Sequence, residues 1–157
     1  MARIQKTSLS PDFTDFYRDS LDAQEHNDCS VKAIALVTGR TYAEVRAALK
    51  AAGRKDRSGT PQHLSIKVLQ DFGYTVRKWS SEEQFTIMNT YPGADTTACN
   101  RSITTHHWRR FPKSWAPHWE KKLIVITSGH MLAVVDGVVK DWTINRSLRV
   151  LQIWEVS

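Results

Sequence analysis

Cysteine is scarce in this chain: two thiols, Cys29 and Cys99, stand among 157 residues. A bridge between them is conceivable. With no signal peptide ahead of them, however, they read as reduced intracellular thiols, which keeps Cys29 free for chemistry. Long apolar runs are missing too. Runs such as Leu123 to Ile126 and Met131 to Val135 are far too short for a transmembrane helix. The opening residues MARIQKTSLSPDF hold no apolar stretch of the kind that directs secretion. These absences lead us to expect no membrane partner and a cytoplasmic location.

Glycine and proline are few, at 7 and 5, and no repeat, low-complexity tract or linker divides the sequence. Residues 1–157 therefore read as a single domain, large enough to bury a core without staples. No glycine-rich phosphate loop is present, so nucleotide-driven chemistry has no support. Acidic residues are in deficit. Sixteen Asp and Glu against 22 Lys and Arg give a formal charge of +6, which permits acidic partners or nucleic acid without demanding either.

The period of the apolar residues changes along the chain. Ser10-Pro11 predicts a capped helix start ahead of Phe13, Phe16 and Tyr17. Asn27 or Asp28 can cap a second helix, with Val31, Ile34 and Ala35 on one face and Gly39 as its stop. Thr41-x-x-Glu44 has the form of a capping box, followed by Tyr42, Val45, Ala48 and Leu49 up to Gly53. Thr60-Pro61 opens another helix, with Leu64, Val68 and Phe72 inward and Gly73 at its end. From there the pattern becomes strand-like: Tyr74 to Trp79, Leu123 to Thr127, His130 to Val135, Val138 to Trp142 and Leu148 to Val156. Helices first and antiparallel strands afterwards is an α+β pattern, not a doubly wound one.

A thiol nucleophile needs a deprotonated sulfur, a base within reach and donors for an oxyanion. Cys29 follows the cap residues of a predicted helix, where the dipole favours thiolate and its own N–H has no helical partner. Asp28 beside it opposes a thiolate unless its carboxylate turns away or is used as a cap. Val135-Asp136-Gly137-Val138 signals a two-residue hairpin. If Val135 pairs with Val138, Leu132 faces Asp141 and His130 faces Thr143. His130 and Asp141 then share a sheet face as diagonal neighbours, roughly 7–8 Å apart at Cα. Cys29, His130 and Asp141 are thus the candidate catalytic set.

Two blocks carry a resemblance. Asn27-Asp28-Cys29-Ser30-Val31-Lys32-Ala33, followed by Thr38-Gly39, resembles the nucleophile helix of papain-like cysteine peptidases. Gly129-His130 through Asp141-Trp142 is similar to their histidine hairpin. The nearest likeness is to bacteriocin-leader-type peptidases and compact bacteriophage-encoded relatives. It implies an α+β papain-like fold with N-terminal helices and the nucleophile helix packed on a C-terminal antiparallel sheet. It also implies Cys29 as nucleophile, His130 as general base and acid, and Asp141 as the orienting acid. The implied activity is hydrolysis of a peptide, isopeptide or related acyl bond in a host or phage protein, with an acyltransferase chemically adjacent. Such families place a glutamine shortly before the cysteine as an oxyanion donor; Gln24 stands five before, and Asn27 is a rival donor. The location would be the host cytoplasm if the chain is phage-encoded.

No cofactor or metal is expected, because Cys99, His106, His107 and His118 fit no ordinary zinc spacing. The alternative to an enzyme is a catalytically idle papain-like scaffold that binds a host protein or nucleic acid, for example against host defence. Nucleic acid is the disfavoured partner. Trp108, Phe111, Trp115 and Trp119, among Arg109, Arg110, Lys121 and Lys122, would suit single-strand stacking. Their spacing of three to four residues instead suits one inward stripe with charges outside. Trp108→Ala and Trp115→Ala are accordingly expected to lower the thermal midpoint. Tight, salt-sensitive oligonucleotide binding by a Cys29→Ala variant would contradict that expectation.

Overall fold

Helix α1 (Pro11–Asp22) carries proline at its first position, where the missing N–H leaves no helical bond unmade. A computed structural model describes the chain over residues 11–80, 82–83, 102–104, 121–136, 138–141 and 147–157. Phe13 is fully buried, and Phe16 and Tyr17 pack half-buried against the same core. Helix α2 (Cys29–Thr38) ends at Gly39, whose φ of 70° lets its N–H return to the Ala35 carbonyl at 2.9 Å. The sequence suggests one apolar face for α2. Instead Ser30, Val31 and the whole run Ala33 to Val37 are buried, because α1, α3, α4 and the sheet all pack around it.

Helix α3 (Tyr42–Ala52) is capped as its sequence predicts, with Thr41 Oγ1 accepting from the Glu44 N–H at 3.2 Å. The Glu44 carboxylate pairs with Arg40 at 3.3 Å. Helix α4 (Gln62–Asp71) begins one residue after Pro61 and gives way to Gly73 at φ 92°.

The strands are β1 (Val76–Lys78), β2 (Ser102–Thr104), β3 (Lys122–Thr127), β4 (His130–Val135), β5 (Val138–Lys140) and β6 (Ser147–Val156). They form one antiparallel sheet in the order β1-β6-β3-β4-β5, with β2 also paired to β6. The architecture is therefore α+β, with four described helices preceding the main sheet. Strand β2 lies in a stretch the sequence leaves illegible. Strand β5 stops two residues short of Trp142, the end expected from the pattern. Trp108, Phe111, Trp115, Trp119, Cys99 and the His106, His107, His118 group lie outside the described residues.

Alternation along β3, β4 and β6 fills both sheet faces. Ile124, Ile126, Met131, Ala133, Trp154 and Val156 join the core shared with the helices. Leu123, Val125, Leu132, Val134, Val150 and Ile153 form a second buried cluster with Trp79. This explains why the strands read as short continuous apolar runs rather than as alternating ones. At the β3–β6 seam, Ile126 faces Gln152 but Thr127 faces Val150. Leu151 is the extra residue of that bulge and is exposed. Glu155 ties the far end together. Burial opposes its charge, but Lys121, Arg77 and the Trp79 indole N–H outweigh that and draw its carboxyl down to about 2.

Ile34, fully buried at the centre of α2, is the most direct probe of this packing. Ile34→Ala is expected to cost roughly 2–5 kcal/mol. Urea unfolding should show it as a lower midpoint with an unchanged slope.

Candidate active site

Cys29 is the first residue of α2, so its N–H belongs to the turn whose amides have no partner within the helix. His130 is the first residue of β4, delivered by the Ser128-Gly129 turn, where Gly129 sits at φ 69°. Because α2 packs on β4, a helix start and a strand start meet. The Cys29 sulfur hydrogen-bonds to the His130 ring and receives the Met131 backbone N–H. His130 Nε2 lies 2.7 Å from Asp141 Oδ2. With Nε2 on the carboxylate, Nδ1 is the ring nitrogen left for sulfur.

The hairpin register behind this is the one its turn residues predict. Val135 pairs with Val138 and Ala133 with Lys140, while Asp136 takes φ 53° as a type I′ turn requires. The expected pairing of Leu132 with Asp141 is not made. The ladder ends at Lys140, and Asp141 sits in a bend just beyond it. Thr143 lies outside the described residues. Leaving the strand lets the Asp141 carboxylate swing to the imidazole while staying buried.

Burial disfavours both charged partners, yet the pair overrides it. For Cys29, burial pushes the thiol up, but the hydrogen bond and charge of His130, with the Met131 N–H, bring it below its ordinary 9.0; Asp141 opposes this. For His130, burial favours the neutral ring, while Asp141 and Cys29 together raise it to about 10. The set therefore favours a thiolate paired with an imidazolium.

No protein-family model, curated protein or solved structure matches this chain.

The polar bed beneath the thiol was only partly legible. Of the two residues expected as caps, Asn27 and Asp28, it is Asp28 that occupies the N-cap position of α2, but its side chain makes no capping bond. Its carboxylate is buried, with Oδ2 accepting from the Tyr42 hydroxyl at 2.5 Å and Oδ1 paired with Lys32 at 3.2 Å. The two oxyanion candidates are both engaged by Arg57. Gln24, exposed and at φ 55°, accepts from Arg57 Nη2 at 3.1 Å, and Asn27, also exposed, donates to the Arg57 carbonyl at 3.2 Å. Gln24 uses its oxygen there, whereas Asn27 spends a donor. Ser30 Oγ donates to Thr60 Oγ1 at 2.6 Å, tying the first turn of α2 to the approach of α4.

Glu25 and Arg54 carry no local signal in the sequence, being separated by 29 positions. Both side chains are fully buried and meet at 2.7 Å. Glu25 Oε1 also accepts the Arg57 N–H at 2.8 Å, while Arg54 reaches the Ser58 carbonyl. Burial pushes Glu25 up, but Arg54, the Arg57 N–H and Arg46 outweigh it and hold the carboxyl below its ordinary value. This clamp fixes the segment leading into Cys29 against the loop that carries Arg57. Glu25→Ala would strand a buried guanidinium, so we expect a loss of about 3–5 kcal/mol. Chemical denaturation measures that loss directly.

Proposed function

We propose that the chain is a papain-like cysteine hydrolase that cleaves a peptide, isopeptide or related acyl bond. The observation that carries this is the meeting of Cys29, His130 and Asp141. Cys29 starts α2, His130 starts β4 and Asp141 lies in the bend after β5, and they are joined in the order sulfur, imidazole, carboxylate. A buried structural cysteine has no need of a charged imidazole, and an ordinary surface histidine has no need of a buried aspartate.

The chemistry follows from the geometry. The Cys29 thiolate adds to the acyl carbon, forming the S–C bond and moving the carbonyl π pair onto oxygen. The Cys29 N–H faces that oxyanion from the α2 terminus. His130, as imidazolium, gives its proton to the leaving nitrogen or oxygen as the old acyl bond breaks. A thioester on Cys29 and a neutral His130 remain. His130 then takes a proton from water, the resulting hydroxide attacks the thioester carbon, and the S–C bond breaks. The acid product departs and the thiolate–imidazolium pair is restored. Asp141 keeps the ring oriented and its charge stabilised throughout.

Thiol labelling by iodoacetamide, followed by mass spectrometry, tests this assignment. Cys29 should alkylate faster than Cys99 near neutral pH, with the midpoint of its pH profile below the ordinary thiol value of 9.0. His130→Ala and Asp141→Asn should slow Cys29 labelling at neutral pH, because each removes support for the imidazolium. Equal rates at both cysteines in the unmodified chain would refute a nucleophile at Cys29.

A further inference from the structure

An acidic residue directly before a nucleophilic thiol is an electrostatic problem, and the surroundings of Asp28 look like its solution. An aspartate at an N-cap ordinarily accepts from amides of the first helical turn. There it would place a negative charge on the same N–H groups that favour a Cys29 thiolate and could meet an oxyanion. Asp28 holds that position and makes no such bond. Both of its oxygens are engaged elsewhere: Oδ2 by the Tyr42 hydroxyl from α3, and Oδ1 by Lys32 one turn along α2. Ser20 of α1 also helps hold the carboxylate in its charged form, while its Oγ donates to the Glu25 carbonyl at 3.2 Å. Asp141 is an acid whose charge opposes the thiolate.

We propose that Tyr42 is a positioning residue for the thiol, holding the Asp28 carboxylate off the amino terminus of α2 so that Cys29 stays ionised. Tyr42's role rests on Cys29 being the nucleophile proposed above. The groups facing Asp28 are Ser20 from α1, Lys32 from α2 and Tyr42 from α3, with the Glu25 charge also reaching Tyr42. Those facing Cys29 are His130, the Met131 N–H and Asp141. Burial and the adjacent Asp28 raise the Tyr42 phenol far above its ordinary value, so it remains a proton donor at every working pH. In its absence, the carboxylate oxygen loses that donor, and an aspartate at this position ordinarily turns to the amides of the first helical turn.

The test is the pH dependence of iodoacetamide labelling, followed on the Cys29 peptide by mass spectrometry. Tyr42→Phe should move the midpoint upward by about one pH unit, with roughly tenfold slower labelling below both midpoints. Adding Asp28→Asn to Tyr42→Phe should return the midpoint to its original place, since no charge is left to migrate. Ser20→Ala, which removes a second hydroxyl that favours the charged Asp28 carboxylate, should also shift it upward, and it serves if Tyr42→Phe fails to fold. A merely structural tyrosine would lower stability without moving the midpoint. An unmoved midpoint in the folded variants, or a shift that persists with Asp28→Asn, overturns the role of Tyr42 alone. An ordinary thiol midpoint in the unmodified chain overturns the nucleophile and Tyr42 together.

Discussion

Helix α2 has almost no solvent-facing side, and keeping it dry is the constraint around which the other elements are placed. A ten-residue helix with seven buried positions needs cover in every direction. Helices α1, α3 and α4 supply part of that cover, and β3 and β4 the rest. Gly39 closes its carboxyl end. Its amino end carries the half-buried Cys29, the nucleophile proposed above. Because α2 lies on β4, the start of the strand comes to the start of the helix, and His130 is the residue at that point.

Charge around this junction is sorted by sign and by distance. Three buried carboxylates lie in or near it: Glu25, Asp28 and Asp141. Each is neutralised by a different partner. Arg54 takes Glu25, Lys32 and the Tyr42 hydroxyl take Asp28, and His130 takes Asp141. Only the last of these partners touches the sulfur as well. Lowering the thiol and raising the imidazole are two views of one coupled equilibrium, in which burial strengthens the pair it would otherwise disfavour.

Local signals were legible where a local physical rule applies. The Thr41 cap, the Gly39 stop, the proline at the head of α1 and the Val135–Val138 register each depend on residues within a few positions of one another. The register mattered most, because alternation then assigned His130 and Asp141 to one side without knowledge of the fold. Extending the ladder to Asp141 went too far: the strand ends at Lys140, and a bend performs what strand pairing was expected to do. Strand β2 was not legible, since three residues in a polar context owe their pairing to β6 rather than to their own pattern.

The sequence by itself determined the four helices, the strands other than β2, the hairpin register and the three residues on which the proposed thiol chemistry rests. Those features are encoded by short-range periodicity, capping and turn preference, which operate before any long-range contact exists. Tertiary structure decided the rest. It made α2 central rather than one-sided, placed Arg54 on Glu25 from 29 residues away, and drew Asp28 out of its capping position onto Tyr42. Side chains so far apart in the chain meet only through packing. Whether a buried charge is opposed or neutralised depends on which partner the packing brings to it.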